Sequence, residues 1–394
     1  MREGSRRRRG LFLPRLRAGR WIRGILSVAL CAALSACWDE VILQDVGYIS
    51  ALGIDFKDDK YVLYAQMINF TEIAKTDSPS KPQELWIGKG EGNSVLLAYS
   101  DLGRASYSTL NLEHLKTIVI HKRALSKIGD VLDGLNRHRA SRYTAMFFGT
   151  TVPIEELFTT DNFFDQSPLN SVLYLPSSQE RHNSFVKSLK MQSAVQLLKE
   201  PAMTTLLPVI GITSSYWKKV KKTMNTEIVK GSFVFKDFRF LGQLQYDEII
   251  GLRWLNRDFK AAMIEASEEG NSATVSITNA DYKLHALLEG EECRFRLKVK
   301  VTGHIIEMGS AMGKDRIVAI VERKIAEEIM SAYGLGVEKG LDLLNLEHHI
   351  YRYHNGYWGS NMLDRNWKPE EGMLKVETKL DLTNSGKLEL KNNT

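Results

Sequence analysis

From Cys293 to Val301 the chain alternates without a break. Cys293, Phe295, Leu297, Val299 and Val301 are apolar, and Arg294, Arg296, Lys298 and Lys300 are cationic. Successive strand side chains point to opposite faces, so this segment belongs to a sheet with one face packed and the other in water, the pattern of antiparallel sheets. Downstream, Ile317, Val321, Ile325 and Ile329 recur every fourth residue, opposite Glu322, Arg323, Glu327 and Glu328. That spacing makes an amphipathic helix with one apolar stripe. Tyr333-Gly334-Leu335-Gly336 is expected to break it, and a second helix carries Val337, Leu341, Leu344, His348 and Tyr351. The last strand spans 373–382, with Leu374, Val376, Thr378, Leu380 and Leu382 in alternation. A helical hairpin over an antiparallel sheet gives an α+β domain at 251–394.

The same reading applies upstream. "DVGYISALGIDF" and "YVLYAQMINF" flank the polar turn Lys57-Asp58-Asp59-Lys60 as a hairpin. "ELWIGKGEG" is a short strand, and Asn93 or Ser94 caps a helix through Val95, Leu96, Leu97 and Leu102. "LKTIVIH" and "YTAMFFGTT" are strands, with a helix between them on Leu125, Ile128, Leu132 and Leu135. These make an N-terminal α+β domain over 37–175. In 176–250, a middle domain, Val186, Leu189, Ala194, Leu197 and Leu198 mark a helix stopped before Pro201, and "GSFVFKD" and "FRFLGQLQ" follow as strands.

The first 36 residues are different. They hold nine arginines and one acid, so they carry a charge of +8, and the remainder carries −2. A nucleic-acid binder keeps its basic charge on the folded surface, so no nucleic-acid partner is expected. Gly24 to Ala36 is an uncharged run of 13 residues, shorter than the roughly 20 that cross a bilayer as a helix. It ends in Leu34-Ser35-Ala36-Cys37, which resembles the lipobox of bacterial lipoproteins. That resemblance implies cleavage before Cys37, diacylglycerol on its thiol, and anchoring outside the cytoplasm. Cys31 then leaves with the leader and only Cys293 stays free, so an intramolecular disulfide and a two-cysteine metal site are both excluded.

Four groups carry candidate chemistry. Gly88-Lys89-Gly90-Glu91-Gly92 lacks the spacing and Lys-Ser/Thr ending of a phosphate loop and reads as a tight strand-to-helix turn. In "EHHIYRYH", His349 and His354 are five apart, about 140° around a helix, and face away from each other. His348 falls in the apolar stripe. Lys218, Lys219, Lys221 and Lys222 follow Trp217 and read as a solvated turn, or else as a contact for anionic head groups or a partner. Cys293 lies in the apolar register and reads as core. No G-x-S-x-G elbow is present, and no metal, cofactor or enzymatic activity is expected.

Taken in order, the mature sequence resembles the Ger(x)C family, the C-subunit lipoproteins of spore germinant receptors. Cys37-Trp38-Asp39, Gly53-Ile54-Asp55, Gln66-Met67-Ile68-Asn69, Gly92, the strand from His114 through Lys116, Arg137, Phe233-Val234-Phe235, Leu241-Gly242 and Leu252-Arg253-Trp254 follow the family's blocks. Ile42-Leu43 and Asp342-Leu343-Leu344-Asn345 depart from them. The resemblance implies three domains, each a mostly antiparallel or mixed β-sheet flanked by helices. It also implies a non-catalytic subunit on the outer surface of the spore inner membrane, beside a membrane A subunit and a multi-spanning B subunit. Trp38 and Asp39, next to the anchor, are then candidate partner or membrane contacts. A solute-binding lipoprotein and an envelope hydrolase are the other two readings.

Overall fold

The computed structural model describes residues 46–68, 85–137, 143–177, 187–309, 312–363 and 365–383, together with Gly24, Ile25, Ser27 and Ala29. Cys37, Trp38 and Asp39 lie outside the described residues. So does Val186.

β1 (Val46–Lys57) and β2 (Lys60–Ile68) form the expected hairpin. Asp58 and Asp59 both take left-handed φ values, 50° and 57°, as the favoured two-residue hairpin turn requires. β1 is buried without interruption from Ile49 to Asp55, because it is a central strand covered on both faces. β3 (Leu85–Gly92) pairs with β2, and α1 (Val95–Gly103) returns across it, capped by the Ser94 hydroxyl on Leu97 N–H. The glycine run is therefore strand, not a turn. Gly88, Gly90 and Gly92 share one face, two residues apart. A Cβ on Gly90 would lie 2.4 Å from the Ala98 carbonyl oxygen, so the glycines let α1 press onto the sheet. In α1 the buried side chains are Val95, Ala98 and Leu102, whereas Leu96 and Leu97 face solvent.

β4 (Thr109–Asn111), β5 (Thr117–His121), α2 (Ile128–Arg137), β6 (Met146–Thr150), α3 (Ile154–Phe158), β7 (Leu189–Lys190), α4 (Met191–Lys199), β8 (Thr204–Thr213), β9 (Lys218–Lys219), β10 (Lys222–Thr223), β11 (Thr226–Lys236) and β12 (Arg239–Gln245) follow. One ten-stranded sheet runs β12-β11-β8-β6-β5-β1-β2-β3, with β4 on β1 and β7 on β6. Its centre is parallel: β1 with β5, β5 with β6, and β6 with β8. The long strands of 176–250 thus extend the N-terminal sheet and build no separate one, with Gly149 and Thr150 opposite Val209 and Ile210. Strand spacing along a sequence carries no information about such a distant parallel partner.

The second sheet runs β13 (Ala262–Glu268), β14 (Asn271–Glu289), β15 (Glu292–Met308), β16 (Leu374–Thr383). Before it come α5 (Tyr246–Ile249) and a 3₁₀ turn (Ile250–Leu255). The predicted alternation holds along β15, whose inward side chains, Cys293 included, join one core with Trp254 and the stripe of α6 (Lys314–Lys339). Burial raises the Cys293 thiol to about 12, so it is protonated and unreactive at neutral pH. β16 pairs parallel to β15, making this sheet mixed.

The predicted helix break is absent. α6 runs 26 residues through Gly334 and Gly336, and Gly340 ends it at φ 63°. Gly336 is held by packing: a Cβ there would sit 2.6 Å from the Leu341 carbonyl oxygen. Val337 therefore belongs to α6, and the next helix, α7 (Leu346–Tyr353), is short, followed by α8 (Asn355–Asn361). The His349 and His354 rings, predicted to face apart, have centroids 6.3 Å apart, because α7 ends at Tyr353 and His354 leaves helical geometry. His348 Nδ1 lies 3.1 Å from the Pro201 carbonyl oxygen, which can only accept, so the ring nitrogen donates.

The helical segment clasps the first sheet at several points, the Thr204 N–H of β8 on Asn345 Oδ1 at 2.7 Å among them. Leu343 packs with Val234, Leu244 and Ile249. The Lys236 ammonium, at the end of β11, donates to Glu347 Oε2 at 2.7 Å, and Trp358 Nε1 donates to Glu347 Oε1 at 3.2 Å. The fully buried Asp342 carboxylate accepts the amides of Leu346 and Glu347 and so fixes the start of α7. Burial raises this acid to about 6.

Candidate functional site

The predicted lysine cluster is the tip of a two-strand hairpin. β9 carries Lys218 and Lys219, β10 carries Lys222, and all four lysines are exposed. Val220, at the turn, is 92% exposed and sits at φ 57°. A left-handed φ costs a β-branched residue roughly 1–2 kcal/mol, so Gly or Asn would serve the turn better.

A second loop meets this tip. Asp161 N–H donates to the Asn225 carbonyl at 3.0 Å, and Asn225 N–H donates to Asp161 Oδ2 at 3.1 Å. Lys222 reaches Asp161 Oδ1 at 3.7 Å. That stitching brings Phe163 edge-on to Trp217, with centroids 5.2 Å apart. Beside them Phe164 is 87% exposed and also left-handed, at φ 54°. Tyr216 and Trp217 are exposed as well. Two bulky apolar residues therefore occupy strained, solvated turns within one patch that also bears four cations. Strain of this kind persists where a side chain is selected for something other than the turn. The patch has the makeup of a membrane-interface element, with aromatic rings for the head-group level and lysines for anionic lipid. Sequence reading found Trp217 and the lysines but missed Phe163 and Phe164. The adjacent aromatic pair was visible, but nothing in it indicated a fold across to residue 217.

A buried acid holds the two loops together. Glu227 Oε1 accepts the Thr160 and Ser171 hydroxyls, each at 3.2 Å, and Oε2 accepts Leu173 N–H at 2.6 Å. Burial outweighs these three bonds and pushes the acid up to about 7 from 4.5. A raised carboxylate stabilises the fold while protonated. Below about pH 4.5 folded and unfolded chains both hold the proton; between there and pH 7 only the folded chain keeps it, so stability falls, then levels. The expected loss is about 3 kcal/mol between pH 4.5 and 8. Urea unfolding at both pH values checks it: Glu227→Gln is expected to show a slope shallower by that amount, and identical slopes refute the assignment.

Among the described residues, no group of three or more His, Cys, Asp or Glu side chains is placed to hold a metal. No described helix is long and apolar enough to cross a membrane.

Comparison with known proteins places this geometry. Residues 39–212 match the spore germination protein N-terminal domain family, and residues 230–386 match the spore germination B3/GerAC-like C-terminal family. The chain belongs to the Ger(x)C family of spore germination proteins. Spore germination protein KC of Bacillus subtilis (strain 168) is 24% identical over 381 residues, covering 90% of this chain and 93% of that protein. The crystal structure of the GerBC protein shares the fold, with a TM-score of 0.54 at 17% identity over 84% of this chain and 97% of that one. Both Ger(x)C domains are present, and the chain acts in spore germination as a non-catalytic component. The α+β architecture agrees with the expectation from sequence.

Proposed function

We propose that this chain is the lipid-anchored C subunit of a nutrient germinant receptor on the outer surface of the spore inner membrane. Diacylglycerol on Cys37 holds the body at the bilayer, and the membrane A and B subunits are its partners. Trp38 and Asp39 lie next to the anchor and contact membrane or partner. The tip bearing Lys218, Lys219, Lys221 and Lys222 is a second, reversible foothold on anionic lipid. Anchoring raises the effective concentration of the body near its membrane partners without any catalytic step. The observation that carries the reading is the placement of Phe164 and Val220, both exposed and both at left-handed φ, in the lysine-bearing patch. Family membership and the Leu34-Ser35-Ala36-Cys37 motif support the rest.

Two variants test the foothold. Each lysine near an anionic surface contributes about 1 kcal/mol. In a chain that also carries Cys37→Ala, and so lacks the acyl anchor, changing Lys218, Lys219, Lys221 and Lys222 to Gln is expected to weaken binding to phosphatidylglycerol vesicles at low salt by a hundredfold or more; in the anchored chain the same change is expected to slow germination. Val220→Asn is expected to stabilise the fold by about 1 kcal/mol, by relieving the turn, and still to weaken vesicle binding. Unchanged vesicle binding in both variants would exclude the tip as a membrane contact.

A further inference from the structure

The start of β8, the 3₁₀ turn, the far half of β14 and α7 border a half-open cavity of about 1000 Å³. Among the described residues, its wall carries five lysines and arginines and four histidines, and no aspartate or glutamate. Three of the cations are matched by acids behind the wall: Lys187 by Asp258 at 2.6 Å, Arg253 by Glu328 at 2.9 Å and Arg352 by Glu200 at 3.2 Å. No described carboxylate lies within ion-pair distance of the other two, Arg257 and Lys283. The wall is therefore cationic even after its pairs are discounted.

A second, independent observation points to a ligand. Thr205 is 2% exposed and Arg253 is 6% exposed; both line the cavity, and Thr205 Oγ1 and Arg253 Nε have no hydrogen-bond partner among the described residues. A buried donor left unpaired costs roughly 1–3 kcal/mol, which a ligand oxygen would recover. The cavity also borders a strand edge that no other described strand covers. β13 covers β14 only from Asn271 to Ile277, so the stretch from Tyr282 to Ala286 lines the cavity with no described strand paired on that side. Tyr282 N–H turns to the Asp281 carboxylate at 2.9 Å, and the two-residue period puts the amides of Leu284 and Ala286 on the same side. Leu252, Leu343 and Leu344 add apolar wall. Apolar walls with a few convergent donors, at this volume, are the makeup of a small-molecule site.

We propose that this cavity binds a small organic anion, an apolar body bearing carboxylate or phosphate groups, with Arg257, Lys283, Arg253 and Thr205 receiving the anionic oxygens. An acidic peptide laid along the β14 edge would use the strand amides but leave the buried Thr205 and Arg253 donors unmet.

Calorimetry on the full chain in neutral detergent tests this. The probes are 1-naphthyl phosphate, 1-naphthoate, inorganic phosphate and 1-naphthol. At least one naphthyl anion is expected to saturate a single site tenfold or more tighter than both naphthol and inorganic phosphate, and the tighter of the two anions identifies the preferred charged group. Arg257→Gln with Lys283→Gln, both at exposed positions, is expected to weaken that binding at least tenfold with unfolding unchanged. Thr205→Val, nearly isosteric, is expected to weaken it about threefold. Equal binding of naphthol and the anions would overturn the proposal, as would absence of saturable heat or indifference to the double variant. Binding of hexaglutamate without either naphthyl anion would also overturn it and assign the cavity to a protein partner. None of these readouts depends on the membrane anchor.

Discussion

Spores whose only copy of this chain carries Cys37→Ala are expected to lose it from the membrane fraction and to lose their response to nutrient. The argument is quantitative. Each acyl CH₂ buried in a bilayer contributes about 0.8 kcal/mol, and a single myristoyl chain gives only marginal, reversible binding, with an association constant of about 10⁴ M⁻¹. In the proposed anchor, diacylglycerol puts two chains on one sulfur, which would make attachment stable. Alanine would remove the sulfur and with it both chains. What remains is the lysine tip, at about 1 kcal/mol per residue at low salt and less at physiological salt. The membrane-bound fraction is therefore expected to fall at least a hundredfold, with the body still folded, since the described core begins past Val46. Fractionation of spore membranes and the rate of nutrient-triggered germination are the two measurements. Retention at normal levels with normal germination would remove anchoring from the mechanism.

Glu347→Ala is expected to destabilise the body by about 3 kcal/mol. Glu347 is 5% exposed and accepts both the Lys236 ammonium and the Trp358 indole N–H. Truncating one partner of a buried ion pair costs about 3–5 kcal/mol, because the other charge is left without compensation. The lower figure applies here, since the Lys236 side chain keeps 21% of its exposure and regains some water. The loss falls on the clasp between β11 and α7, so the helical segment is expected to loosen from the first sheet before the rest unfolds. Hydrogen exchange should show protection lost first in Leu346–Tyr353. Lys236→Met with Glu347→Leu is expected to restore most of the stability, since no unpaired charge remains. If Glu347→Ala costs less than about 1 kcal/mol, the pair is not a clasp.

The parts of this fold that were legible in the sequence are those decided by local period. The hairpin through Asp58-Asp59, the alternation in β15 and the stripe Ile317, Val321, Ile325, Ile329 each follow from spacing that one face of one element imposes. Cys293 was placed in the core for the same reason. The errors arose where packing overrode propensity. Gly334 and Gly336 each cost a helix roughly 1 kcal/mol, yet α6 continues because Gly336 lets the Leu341 backbone approach. Gly88, Gly90 and Gly92 looked like a turn because glycine marks turns, yet they serve the close approach of α1 to a strand. Nor could periodicity assign β8 to the sheet built by β5 and β6, a pairing between residues about sixty positions apart. The tip was half-visible for a similar reason. Its lysines form a run, but its aromatic members arrive from a separate loop held by Asp161, Asn225 and Glu227.

One further consequence follows from the parallel pairing of β15 with β16. The strand that completes the second sheet is Leu374–Thr383, more than seventy residues beyond its partner positions in β15. Closing so long a loop is slow, and the pairing has no reward until its final member arrives. Until then a strand of 17 residues, Glu292–Met308, stands with one border open, a template for aggregation. A chain of this design reaches its native state only after Leu374–Thr383 has been delivered. Truncations just short of Leu374 should therefore accumulate as insoluble or degraded material and not as partly active protein.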